Sequence, residues 1–166
     1  MPGDVEGPPV PRLGCSEDQE TLVHITRGVC ISNRDAPALE GIREENHSLL
    51  SSCFASDRAA FKKALTSLNC RGFDSHDGMN IAAMVPLIAE TARTVAEEAG
   101  KEGALLVLVN SAGKITPNGD LAIQGTAGRW AGLEGLMNTL RTNIGDALAV
   151  LLISAIEVSM PHELSY

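Results

Sequence analysis

Asp74, His76 and Asp77 sit within five residues in "FDSHDG", and a histidine between two carboxylates is the start of a metal site or an acid/base pair. No second histidine follows at ligand spacing, so the plainer reading is a polar loop in which Asp77 caps the next helix. A second candidate is "IQGTAGR", residues 123–129, read as a strand that enters a helix through a glycine loop. Free amides at such a helix start, with Gly125, Thr126 and Gly128 supplying backbone and Arg129 a charge, could hold a phosphate or another anion. The stretch is neither GxGxxG nor GxxxxGK[ST], and a tight connection explains the glycines equally simply. Nucleophilic chemistry finds little support. Cys30 falls inside an expected strand, Cys53 and Cys70 on or near helix ends and Cys15 in the N-terminal stretch, none beside an evident base. Ser154 follows an apolar run without a GxSxG context. We therefore expect no catalytic residues, no metal and no cofactor, with the cysteines acting as small hydrophobes.

The elements that must position these groups follow from periodicity. "GALLVLVNSAGKI" (103–115) contains six apolar residues from Ala104 to Val109, too few for a membrane span and too continuous for a half-exposed strand. It reads as an interior strand of a parallel sheet, with "SAGK" turning the chain at its end. "DALAVLLISAIEVSM" (146–160) carries a second such run. "ETLVHITRGVCISN" (20–33) is β-branched and reads as strand, above all at Val29–Ser32. "CRGF" and "LAIQ" are short strands, and "PNGD" is a turn.

Helices are expected over 35–54, with Asp35 as cap and Leu39, Ile42, Leu49 and Cys53 inward, and over 56–69, with Phe61, Ala64, Leu65 and Leu68 inward. A third runs from Met79 to Ala99, kinked or divided at Pro86, and a fourth over 126–143 with Thr126 as cap. Strands separated by helices imply right-handed crossovers. The fold class is thus α/β: a three-layer α/β/α sandwich on a mostly parallel sheet, with a small β-excursion around 110–124. Residues 1–14, with four prolines, are expected as a disordered arm, 15–160 as one domain and 161–166 as a tail.

Bulk properties narrow the function classes. The chain has 166 residues, a formal charge of −8 and only one Trp, one Tyr and three Phe. Nucleic-acid partners are disfavoured, because neither a basic footprint nor base-stacking platforms are evident. The acidic, Pro-rich start is unlike a signal peptide, and no cysteines show zinc spacing, so a cytoplasmic protein with reduced thiols is expected.

Several segments together resemble the caspases. "ITRGVCISN" (25–33) is similar to their first core strand, commonly Arg-Gly followed by an apolar strand that ends in Asn. "DRAAFKKALTSLNCRGF" (57–73) resembles the helix and short strand that follow it. "DGMNIAAMVPLIAETARTVAEE" resembles the next crossover helix. "GALLVLVNSAGKI" falls where caspases have the strand leading into Ser-His-Gly, and "DALAVLLISAIEVS" where they have the strand leading into Gln-Ala-Cys-Arg-Gly. The match spans about residues 25–158.

The departures concern the chemistry. The general base would fall within Ser111-Ala112-Gly113 and the nucleophile near Ser154-Ala155-Ile156, and neither stretch holds His or Cys. "LLSSCFAS" lacks the arginine expected before Asp57, and nothing after residue 160 is expected to supply the family's small subunit. Without imidazole and thiol no acyl-enzyme forms. The resemblance implies a pseudo-enzyme: a non-catalytic interaction, regulatory or assembly module that pairs with a protein partner or with itself. The competing reading is a small ligand- or phosphate-binding domain, or an enzyme, using the Gly125–Arg129 loop.

Overall fold

A computed structural model describes residues 24–70 and 72–158, with side chains from residue 27 onward. The expected arm 1–14 and tail 161–166 lie outside the described residues. The chain is a mixed α/β protein on an open, mostly parallel sheet. In order it forms β1 (His24–Ser32), a 3-10 turn (Pro37–Leu39), α1 (Glu40–Ser67), β2 (Gly72–His76) and α2 (Ile81–Ala99). A second 3-10 turn (Gly100–Glu102) leads to β3 (Gly103–Ile115), then β4 (Leu121–Gln124), β5 (Trp130–Gly132), α3 (Leu133–Asn143) and β6 (Leu148–Glu157).

β3 is the spine. Along one edge it pairs in parallel with β1, from Gly103 to Asn110, and β1 pairs in parallel with β2. Along its other edge β6 runs parallel to it, from Ala104↔Leu148 to Gly113↔Glu157. Where β1 stops, β4 takes over beside β3, antiparallel, from Gly113↔Ile123 to Ile115↔Leu121, and β5 extends β4.

Side chains alternate between the faces. Val29, Ile31, Leu105, Val107 and Val109 pack with Met84, Ile88, Ala92 and Val95 of α2 and with Leu136 and Leu140 of α3. Cys30 and Leu108, of opposite parity, pack with Phe61 and Leu65 of α1. Truncating one of the fully buried aliphatic residues, Ile31 among them, removes contacts worth about 2–5 kcal/mol.

Several expectations need correction. The break expected between helices over 35–54 and 56–69 falls elsewhere: α1 is kinked at Asn46 (φ −142°, ψ 52°), which separates a short first helix from a longer second one that runs without interruption through residues 54–57. Ser56 and Asp57 do not cap a new start. The buried face holds Leu50, Phe54, Phe61 and Leu65, so Leu49, Cys53 and Leu68 point outward.

"DSHDG" is not all loop: β2 continues to His76 because β1 lies alongside as far as Ile31. α2 is capped by Asn80, whose side chain accepts from the Ala83 amide at 2.8 Å, rather than by Asp77. Pro86 lies inside α2 without dividing it. β3 does not turn at "SAGK"; pairing with β6 and β4 carries it to Ile115, and the reversal is made by Thr116–Asp120. The helix expected from Thr126 begins at Leu133, because Trp130–Gly132 pair with β4. Among the described residues β6 is an edge strand rather than an interior one: it pairs only with β3, and Leu148 and Leu152 remain 50% and 41% exposed.

Candidate functional site

In parallel sheets the chemistry gathers beyond the carboxyl ends of the strands. Here the buried polar side chains of the described residues gather where β1 and β4 end, Ser32, Asn33 and Gln124, and beside them in β3 where β1 stops, Asn110 and Ser111. These residues follow the apolar runs and are buried with them, so their polar groups must find partners within the protein.

Asn33, fully buried, joins three segments. Its Nδ2 donates to the Gln124 carbonyl at 3.3 Å, its Oδ1 accepts from the Met79 amide at 2.8 Å, and its own amide donates to the Asn110 carbonyl at 2.8 Å. The Ser111 hydroxyl donates to the Gln124 carbonyl at 2.6 Å. The Gln124 side chain accepts from the Ala38 amide at 2.7 Å and donates to the Gly128 carbonyl at 2.9 Å. Asn110 donates to the Ser32 hydroxyl at 3.4 Å, and its Oδ1 is buried without a partner. The network ties β1, β3, β4 and the loops at 33–38, 79 and 125–129 into one plug.

Across the sheet, Ser32, Asn110 and Ser154 are register neighbours on β1, β3 and β6. Ser154 donates to Asp57 of α1 at 3.1 Å. Asp57, expected as a helix cap, thus binds a strand end across the layer. A hollow of about 210 Å³ opens beside Ser32, lined also by Arg34, Asp35, Ser51, Phe54, Arg58 and Asp77. Both guanidinium groups are engaged, Arg34 donating to the Ser51 hydroxyl at 3.2 Å and Arg58 to Asp77 at 2.7 Å.

The sequence candidates fall as follows. Asp74 and His76 lie on β2, Asp74 exposed and His76 half-buried with its Nε2 lacking a hydrogen-bond partner. Asp77 is exposed and paired with Arg58. Among the described residues no group of three or more His, Cys, Asp or Glu is placed to hold a metal.

Gly125, Thr126, Gly128 and Arg129 form a turn between β4 and β5 rather than a helix start. The Gly125 amide donates to the Arg129 carbonyl, that of Thr126 to Met79 and that of Gly128 to Gly125. Three amides that an anion would need are therefore committed to the protein's own carbonyls. Reasoning from the sequence missed the Asn33–Gln124 network and the Ser154–Asp57 contact. The available signal was an asparagine close behind each of two apolar runs, Asn33 and Asn110.

Cys30 is buried in β1, Cys70 half-buried with its thiol donating to the Gly72 carbonyl at 3.1 Å, and Cys53 exposed; all three are free. Burial pushes the Cys30 thiol up, against a weaker opposing effect of the contact with Ser32. A raised acid favours the neutral form in the folded state. The stability this residue contributes is therefore present below the ordinary thiol pKa and is lost as pH rises through the raised value. At neutral pH an alkylating reagent is expected to label Cys53 promptly and Cys30 only as the fold opens, read by peptide mass mapping. Equal labelling rates would contradict this placement.

Fold and strand-end site thus define an α/β protein of mostly parallel sheet with a self-bonded polar plug at its carboxyl edge. A comparison with models of known protein families gives no match, and a comparison with curated proteins gives none either. Among the described residues no helix is long and apolar enough to cross a membrane.

Proposed function

We propose that this chain is a non-catalytic protein-interaction or assembly module on a caspase-like, three-layer α/β/α fold. The observation that carries the reading is the plug: the side chains of Asn33, Ser111 and Gln124 bind the protein's own backbone. Asn33 and Gln124 each hold two other segments of the chain. Groups committed in this way are positioned to stabilise loops rather than to activate a nucleophile, which needs a base within hydrogen-bond reach. Support for the caspase-like layout comes from helix packing on both faces and from Ser111 and Ser154 lying on neighbouring parallel strands, one register step apart.

The test measures turnover and ligand binding on the full chain. Peptides with an aspartate before the scissile bond are expected to remain uncleaved at high protein concentration. Melting temperature is expected to stay within about 1 °C on adding phosphate, a nucleotide or a divalent cation, since a ligand at a hundred times its Kd would add about 2.7 kcal/mol. Cleavage that follows the protein through purification would overturn the reading. A shift with phosphate that Arg129→Ala abolishes would favour the ligand-binding alternative instead.

A further inference from the structure

We infer that the edge of β6 left unpaired among the described residues pairs antiparallel with β6 of a second copy of this chain, about a two-fold axis through Leu152. This rests on the interaction-module reading and gives it a partner and a geometry.

Backbone direction comes first. Val158 donates its amide to Gly113 of β3 at 2.8 Å. In a parallel pair alternate residues turn both backbone groups toward the neighbour, and the register from Leu148 to Glu157 runs without a shift. Even-numbered residues therefore face β3, and Ala149, Leu151, Ile153, Ala155 and Glu157 aim their N–H and C=O groups outward. Among the described residues no strand receives them.

Exposed edges are ordinarily blunted by a proline, a lysine, an inward charge or short length. β6 has ten residues, LAVLLISAIE, and its one charged residue is the last.

The same strand is complementary to itself. Two copies related by an axis normal to the sheet can pair only residues of equal parity, because side chains must emerge on the same face. Centring on Leu152 sets Leu152 against Leu152, Val150 against Ser154 and Leu148 against Ile156 on the α1 face. On the other face it sets Leu151 against Ile153 and Ala149 against Ala155. Every opposed pair is apolar or small, and Glu157 falls beyond the span from Leu148 to Ile156. The partly exposed Leu148 and Leu152 both lie in the seam. Leu151–Ile153 and Ala149–Ala155 are then the hydrogen-bonded pairs, giving about eight bonds across the two-fold.

The paired span from Leu148 to Ile156 runs about 30 Å, and at the ~10 Å thickness of one sheet layer the strip it covers is on the order of 300 Å² a side. This is below the ~800 Å² a side of a standard specific interface, so the dimer is a weak, concentration-dependent one held mainly by the strand-to-strand hydrogen bonds. Each copy carries −8, so long-range repulsion opposes the pairing and added salt strengthens it. A basic partner strand would show the reverse dependence.

The test is sedimentation of the full chain from low to several hundred micromolar. A mass that doubles with concentration, with the dimer favoured by salt, is expected. Leu152→Lys should weaken the dimer at least about tenfold while leaving the circular dichroism spectrum unchanged. Leu49→Lys, at a site 61% exposed on α1, should leave the dimer intact. Should Leu152→Lys not fold, Leu152→Cys in a Cys53→Ser background keeps the question open to measurement. Oxidation should link position 152 to position 152 between copies, whereas Leu151→Cys, which faces Ile153, should link to itself far more slowly.

A chain that stays monomeric at every concentration, a dimer indifferent to Leu152→Lys, or equal self-linking at 151 and 152 overturns the proposal. A monomer that binds a different protein's strand through β6 removes the second copy and leaves the interaction module standing. Turnover of a substrate removes the non-catalytic reading and leaves the dimer.

Discussion

Replacing Asn33 by alanine is expected to cost about 2–3 kcal/mol and to lower the melting temperature by roughly 5–10 °C for a chain of this size. The residue is fully buried and serves two segments distant in sequence. Alanine leaves the Met79 amide without its acceptor and the Gln124 carbonyl with only the Ser111 hydroxyl. Loss of the donor can be separated from loss of the acceptor. Asn33→Asp keeps an oxygen for Met79 but sets a second oxygen against the Gln124 carbonyl, so it is also expected to melt below the wild type. A neutral result for both variants, by thermal or urea unfolding, would show that the plug does not hold the strand ends together.

Gly125→Val is expected to be at least as damaging, for a steric reason. A Cβ at Gly125 would stand 2.7 Å from the Ile81 amide nitrogen and 3.0 Å from the Asn80 backbone. These are main-chain atoms at the start of α2, so no side-chain rotation relieves the contact. Either α2 moves off the sheet or the β4–β5 turn opens, and overpacking of this kind costs about 1–3 kcal/mol or more. The hydrogen bond from Thr126 to the Met79 carbonyl, 3.1 Å, would be lost with it. Gly128 differs: it has φ +94°, and its Cβ would meet nothing closer than 3.8 Å. Gly128→Ala therefore pays only for backbone strain, and the Gly125 variant should be the worse of the two in urea unfolding. The reverse order would mean that the loop's glycines serve conformation alone, not close approach to α2.

These residues show what the sequence could and could not reveal. The long helical period over 79–99 identified α2 because a stripe of one residue type every three or four positions is a local property. The β1 core at Val29–Ser32 and the "PNGD" reversal were legible for the same reason. β3 beyond Asn110 was not. "NSAGKI" carries turn-forming residues, and only the pairing of Gly113 with both Glu157 and Ile123 keeps it extended. Similarly, "TAGRWAG" reads as a cap and first helical turn until β4 is found lying beside Trp130.

The apolar run of β6 signalled a strand but not its place in the sheet, because an interior strand and an unprotected edge share the same composition. The site suffered the same limit. Asn33 is separated by 46 residues from Met79 and by 91 from Gln124, so its role depends on contacts no local pattern encodes.

The proposed function is that of a fold that makes contacts and performs no acyl chemistry. It is tested most directly by intact-mass kinetics with an electrophilic peptide ketone carrying aspartate next to its warhead. The exposed Cys53 is expected to react no faster than a free thiol, and denaturation should accelerate adduct formation by opening Cys30. One adduct formed stoichiometrically, faster on the native chain than on the denatured chain and suppressed by substrate peptide, would contradict it.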